Sequence, residues 1–404
     1  MPWKVSDVVS ERMRFIFRLL EGERMTDLCA EYGISRKTGY KLRERYRELG
    51  PQGVFDVSRR PLRMPRQTSE AVRQLVIEAR QSHRTWGPRK LHVWLSERHP
   101  ELRLPSKTTI GLILAREGLV VLRKRRPRVA PYASRLRSAD APNVVWCADY
   151  KGQFRLGNGQ YCFPLTVTDR FSRYLLACEG FEAINGGTAR AVFEQLFAAY
   201  GLPSAIRTDN GAPFASRGLF GLSRLSAWWL KLGIIPERIE PAHPQQNGQH
   251  ERMHRTLKAE TTRPAAANLL QQQERFDAWV HGFNHERPHE ALDQRRPAQV
   301  YSASQRSIRE VRGQLDYPLH DEARTVDSCG HVRVLRGRRH VPVFLSSALA
   351  GERVGLREQN DGSWLISYAA IDLGRYDPVE RKFVPADRPR TTDGGPDLSP
   401  MSPV

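Results

Sequence analysis

The sequence predicts a multidomain protein: all-α modules in front, an α/β core with a mixed five-stranded sheet in the middle, and a small all-β barrel behind. Three observations carry this. The chain has 404 residues, too many for one ordinary core. Its hydrophobic texture changes twice, from helical periodicity before residue 121 to strand-like apolar runs alternating with helices after 144, then to short runs cut by Gly turns after 322. Its charge is lopsided. The net is +20, with 31 Lys and Arg against 15 Asp and Glu in residues 1–143, and 33 against 29 in residues 144–404.

The front module, residues 1–50, reads as helices broken at Gly33-Ile34-Ser35. Ser35 suits an N-cap, because its hydroxyl can accept from a free amide of the next turn. Leu42, Tyr46 and Leu49 then recur at helical spacing as a buried stripe, and Arg36, Lys37, Lys41 and Arg45 lie away from it. A short helix, a Gly turn and a basic second helix make the helix-turn-helix pattern, whose second helix enters the major groove of DNA. A plain bundle with a charged face would use the same helices, but the basic face and the turn together favour DNA.

Residues 51–67, rich in Pro, Gly and Arg, form a linker. Residues 68–120 form a second helix-turn-helix-like unit. Trp86-Gly87-Pro88 opens one of its helices and Ser106 caps another; Trp86 and Trp94 read as core rather than base-stacking residues. Residues 121–143 hold seven basic residues and one acid without periodicity, an extended tether whose Arg123, Lys124, Arg125 and Arg126 could track phosphates.

From 144 the chain reads as three antiparallel strands, then helix, strand, helix, strand, and two helices through about 286. Gly157-Asn158-Gly159 supplies the hairpin turn. This is the pattern of an α/β domain over 144–300. Residues 322–376 alternate short apolar runs with turns, the texture of the small β-barrel, and residues 386–404 form a Pro/Gly/Ser-rich tail expected to be disordered. Five cysteines without a CxxC pair argue against a disulfide framework or zinc ribbon. With no apolar run long enough to span a bilayer, the expected location is the bacterial cytoplasm, associated with the nucleoid.

The chemistry centres on acids. Asp149 and Asp209 each end a predicted strand, where open α/β sheets collect ligands. Two neighbouring carboxylates repel, and a divalent cation with its preference for oxygen donors resolves that. Glu251 follows Asn247, an expected N-cap, and shares a helix face with Arg255 and Lys258, while Met253 and Leu257 point inward. By itself Glu251 is equally a first-turn acid favoured by the helix dipole. Asp169 reads as a turn-former beside Arg170 and Arg173 rather than a fourth acid. His281, His285 and His289 recur like a metal face, but Pro288 interrupts their helix, so they read as structural.

Five ordered segments carry a resemblance: Val145-Trp-Cys-Ala-Asp149, Leu165 through Arg173, Thr208-Asp-Asn-Gly211, Pro244 through Arg252 and Phe283 through Leu292. Together they resemble the DDE transposase and retroviral-integrase family, specifically the transposases of bacterial insertion sequences. The resemblance implies a ribonuclease H-like core and assigns catalysis and metal binding to Asp149, Asp209 and Glu251. It implies two Mg²⁺ ions, with Mn²⁺ as a substitute. The implied reaction cuts DNA with water and then uses the exposed 3′-OH to attack target DNA. Implied partners are double-stranded DNA, at both element ends and target, and further copies of the chain, at least a dimer, with no membrane. Arg252, Arg255 and Lys258 would hold DNA beside the acids. The 41 residues between Asp209 and Glu251 exceed the family's usual spacing, and residues 212–232 hold the extra length. Two other functions fit parts of the sequence: a non-enzymatic helix-turn-helix regulator, which should have lost one of the acids, and a structure-specific nuclease that cuts without joining. No Ser or Tyr nucleophile constellation stands out.

Overall fold

The computed structural model describes residues 7–56, 67–120, 136–150, 152–239, 244–309 and 315–386. The chain divides into two compact units, 1–68 and 69–404. The tether residues Arg123, Lys124, Arg125 and Arg126, most of the 51–67 linker and the tail beyond 386 lie outside the described residues.

The first unit is three helices, α1 (Val8–Leu20), α2 (Met25–Glu31) and α3 (Arg36–Leu49), closed by a 3₁₀ turn over Gly50–Val54. Phe15, Ile16, Leu28, Cys29, Leu42 and Val54 make its core. Ser35 caps α3, its hydroxyl accepting from the Thr38 amide at 3.2 Å. The expected stripe on α3 is shorter than its spacing suggests. Leu42 is buried and Tyr46 packs beside it, but Leu49 is exposed, because the chain turns away at Gly50.

The second unit opens with α4 (Glu70–Ser82), α5 (Pro88–Arg98) and α6 (Lys107–Arg116). Ser106 caps α6 and Pro88 sits in the first turn of α5, where a missing N–H costs nothing. Trp86 is buried among Val76, Leu91, Leu95 and Ile110. It stacks on His83 with centroids 3.8 Å apart.

The central sheet comprises β1 (Val145–Tyr150), β2 (Phe154–Arg155), β3 (Tyr161–Asp169), β4 (Leu175–Phe181), β5 (Ala205–Thr208) and β6 (Ile235–Arg238). β3 pairs antiparallel with β1, β2 and β4, while β1–β5 and β5–β6 are parallel. This is the mixed sheet of the expected ribonuclease H-like core, with β2 as a sixth, two-residue strand. Helices α7 (Gly186–Tyr200) and α8 (Arg224–Lys231) cover one face, burying Trp146, Phe193, Phe197 and Trp229. On the other, α9 (Gly248–Thr261) and α10 (Leu269–His281) bury Cys162, Cys178, Met253, Leu257 and Phe276. Residues 282–286 extend α10 as a π-helical turn.

The C-terminal strands are β7 (Glu322–Thr325), β8 (His331–Arg336), β9 (Arg339–Phe344), β10 (Arg353–Glu358), β11 (Trp364–Tyr368), β12 (Ile371–Asp377) and β13 (Lys382–Pro385). The small β-barrel expected here is not seen closed among the described residues. The strands form a five-stranded antiparallel sheet in the order β13-β12-β11-β10-β7 and a separate β8–β9 hairpin, and among the described residues no pairing joins the two. The apolar sides of the sheet and the hairpin bury one another, and α8 joins the same cluster. Ala227 and Leu230 join Val332, Val354, Ile366 and Leu373 in one cluster. The Tyr368 hydroxyl donates to the Ala227 carbonyl at 3.1 Å, and Lys231 pairs with Glu352 at 2.9 Å.

Candidate active site

Period-2 alternation sorts the central strands' side chains onto two faces. On β1, Trp146 and Ala148 enter the core under α7. Val145, Cys147 and Asp149 therefore belong to the opposite face, the one that α9 covers. On β5, Ile206 shares Trp146's core, which puts Arg207 on Asp149's face. The parallel strands pair Cys147 with Arg207, so Asp149 and Asp209 each stand two residues beyond the same rung. Both sit at the carboxyl edge of the sheet, where open α/β sheets bind ligands. Each is half-buried. The Asp209 carboxylate accepts from the Gly211 amide at 3.1 Å, which holds the turn after β5.

A buried ion pair braces this edge. Arg207 donates to Glu237 on β6 through Nε and Nη2 at 3.1 and 2.8 Å, and Nη2 also reaches the Arg137 carbonyl at 2.8 Å. The two side chains are 2% and 9% exposed.

Helix α9 carries the third acid that the sequence singles out. Glu251 lies in its first turn, exposed, with Arg252, Arg255 and Lys258 exposed along the helix and Met253 and Leu257 buried as expected. Asn247 occupies the N-cap position but makes no side-chain cap bond. The expectation that it caps fails because its backbone (φ −112°, ψ 18°) is not extended, as a capping residue's usually is.

The inward face of α9 also carries His250 and His254, both buried. They meet two buried threonines of β3. Thr166 Oγ1 lies 2.8 Å from His250 Nε2, 2.6 Å from His254 Nε2, and donates to the Asp149 carbonyl at 3.2 Å. Thr168 Oγ1 lies 2.9 Å from His250 Nδ1. Burial pushes the His250 pKa down to about 3, so this imidazole is neutral. His254 Nδ1 stands 3.7 Å from Asp149 Oδ2. Among the described residues, Asp149, His250 and His254 form the group of metal-capable side chains whose ligand atoms lie within 4.8 Å of one another. Asp209 and Glu251 stand outside that group. Sequence reasoning missed both histidines. Their signal was the i, i+4 pair flanking Glu251, opposite two threonines at alternate positions of a strand otherwise built from apolar residues.

The other expected residues are placed as follows. Arg36, Lys37 and Lys41 are exposed on α3, whereas Arg45 is half-buried and donates to the Phe55 carbonyl. Asp169 is buried and holds a turn. It accepts from the amides of Ser172 and Asn143 at 2.8 Å each and from the Ser172 hydroxyl at 2.6 Å. His281 and His285 stack on each other, and His289 packs edge-on against Phe283, where burial and nearby cations push its pKa down to about 3.

The second helical module meets the core beside α9 and α10. Glu260 at the end of α9 accepts from the Trp279 indole at 2.5 Å, from Arg287 at 3.1 Å and from Thr85. Arg89 pairs with Glu290, and Arg296 with Glu97. Burial and Arg287 together push Lys90 down to about 7.

Comparison with known proteins agrees with this anatomy. The Integrase core domain family matches residues 139–244 and, in a second form, 232–297. A Helix-turn-helix domain matches 11–61 and a Homeodomain-like domain 38–114. The uncharacterized 39.2 kDa protein of insertion element IS476 from Xanthomonas euvesicatoria is 29% identical over 239 residues, 58% of this chain and 66% of that one. The uncharacterized 31.7 kDa protein of insertion element IS407 from Burkholderia multivorans is 28% identical over 58% of this chain and 82% of its own length. The Gag-Pol polyprotein of baboon endogenous virus is 32% identical over 133 residues, a third of this chain and 7% of that polyprotein. Among solved structures, the HTLV-2 integrase catalytic core domain in complex with magnesium aligns over 41% of this chain and 99% of its own, at 15% identity and a TM-score of 0.33.

Proposed function

We propose that the chain is a transposase of the insertion-element kind with a retroviral-integrase-like core, an enzyme of the DDE type, and that it binds the ends of a mobile DNA element, cleaves them and joins them to target DNA. The observation that carries this reading is the shared edge of Asp149 and Asp209 on parallel neighbours β1 and β5, with the first turns of α9 laid against Asp149.

The donor set fits a hard divalent cation. Carboxylates on neighbouring strands at one sheet edge suit an oxygen-seeking ion that offsets their repulsion. Asp149, Asp209 and Glu251 would hold two Mg²⁺, with Mn²⁺ as a substitute. Bound there, the ions supply charge stabilisation to the attacking and leaving oxygens of an in-line displacement. The rest falls to the chain. Arg252, Arg255 and Lys258 line the exposed side of α9 and hold the phosphates next to the acids. Arg36, Lys37, Lys41 and Arg45 present α3 to the major groove, and Arg123, Lys124, Arg125 and Arg126 follow the backbone between modules. Water cuts the end and leaves a 3′-OH. That hydroxyl then attacks a target phosphodiester, and the target's own 3′ oxygen leaves. Two ends must meet one target, which calls for at least a dimer. Among the described residues no helix is long and apolar enough to cross a membrane, and the work belongs in the bacterial cytoplasm at the nucleoid.

The test uses labelled duplexes ending in the sequences that flank the gene. Asp149→Asn, Asp209→Asn and Glu251→Gln should each abolish both cleavage and joining, while gel-shift affinity for the same duplex stays within a few-fold. Cutting at the wild-type rate by any of the three removes that residue from the site. Wild-type cutting without joining would make the protein a nuclease.

A further inference from the structure

Where the second helical module meets the core, the acids are spent on cations other than Lys90. Glu290 pairs with Arg89, and Glu260 accepts from Arg287 at 3.1 Å and from the Trp279 indole. Lys90 is half-buried in the first turn of α5 and has no ion pair among the described residues. Burial and the charge of Arg287 hold its pKa down at about 7, and Glu260 and Glu290 pull the other way without reversing that. Arg173, in the turn after β3, is in a similar condition. Its Nε is buried without a hydrogen-bond partner, and the nearby Asp169 carboxylate is occupied by Asn143 and Ser172. An arginine Nε–H can only donate, so it calls for an acceptor. Arg252, next to Glu251 on α9, repels Lys90 and Arg173 alike. His289 takes the charge of Lys90 and Arg173 together. Like charges gathered in a partly dry place favour an anion between them.

Lys90 also lines a groove of about 580 Å³. One wall is the first turns of α5 and α6, with Arg89, Lys107 and Thr108, and the other is Glu290 and Gln294 of the core. Helix α6 is the third of its module, and in a homeodomain-like unit the third helix reads the major groove. A strand of a duplex lying on α6 would therefore meet the core along this groove, with Lys90 at its floor and Arg252 beyond.

We propose that Lys90 and Arg173, with Arg252, form a phosphodiester-binding site that passes a DNA strand from the groove between α6 and residues 290–294 toward the acids. This rests on the reading above that the chain acts on DNA. A bound phosphate supplies the counter-charge that Lys90 lacks and an acceptor for Arg173 Nε.

The experiment is amine footprinting of the full-length protein at neutral pH, with labelling at Lys90 followed by mass spectrometry. A duplex ending in the sequences that flank the gene should slow that labelling severalfold, and inorganic phosphate at matched ionic strength should leave it nearly unchanged. Lys90→Met keeps the aliphatic stem and removes the charge. It should lower the slope of log affinity against log salt for the same duplex by about 0.9, one phosphate contact, without lowering the thermal unfolding transition. Arg173→Gln should do the same. Unslowed labelling on a bound duplex, or a slope unchanged in both variants, overturns the proposal and leaves the transposase reading standing. Equal slowing by inorganic phosphate alone makes this a free-anion site and also overturns it. If the wild type binds no such duplex, the transposase reading fails along with the proposal.

Discussion

At the scale of single residues, the acids at strand ends were legible because two independent rules point at them: a strand that stops in Asp, and the sheet edge where such strands open. The histidines were not, because sequence periodicity sorts apolar from polar and His250 and His254 sit among polar neighbours on a helix with a charged outer face. Their burial comes from Thr166 and Thr168, whose hydroxyls satisfy the imidazole nitrogens inside the sheet–helix interface. Arg207 was equally hidden. An Arg at the penultimate position of a four-residue strand looks like an exposed terminus, yet it is 2% exposed and bound to Glu237. Removing one partner of such a pair strands a buried charge. Glu237→Ala should therefore cost about 3–5 kcal/mol in chemical denaturation. A loss under about 1 kcal/mol, the range of an exposed pair, would mean that water reaches Arg207.

Secondary elements were read well where caps and turns announce them. Ser35 and Ser106 start α3 and α6 as expected, and the Gly157-Asn158-Gly159 turn joins β2 to β3 with Gly159 at φ +85°. The C-terminal strands were found, but their pairing was not, because strand runs and turn residues leave open which edges meet. Packing across the layer adds a partner from outside it, α8. The segment that lengthens the spacing between Asp209 and Glu251 contains a helix buried on both sides, with Trp229 in the central core and Leu230 against the C-terminal sheet. In the first unit, the close approach of the 3₁₀ turn to α3 depends on Gly53. A Cβ there would lie 2.3 Å from the Arg45 carbonyl oxygen and 2.8 Å from the Tyr46 amide nitrogen. Gly53→Ala should destabilise this unit by about 1–3 kcal/mol, seen as an earlier unfolding transition, with the second unit's transition unmoved. An unchanged first transition would show that the turn is free to shift.

For the whole molecule, the charge imbalance and the fold describe one division of labour. The basic excess lies in residues 1–143 and the acids lie in a core that is close to neutral. The second helical module does not float beside that core. Thr85, Arg89 and Glu97 contact Glu260, Glu290 and Arg296, which ties this module to the far end of α9 and to the segment after α10. The central claim is that such a core cuts and joins by direct displacement on phosphorus, with no residue of the chain bonded to the strand. Strand transfer into a target carrying a phosphorothioate of known handedness tests it most directly. A single in-line attack by the 3′-OH inverts the phosphorus, and inversion in the joined product is the predicted result. Retention would require two displacements through a protein-linked strand and would contradict the account.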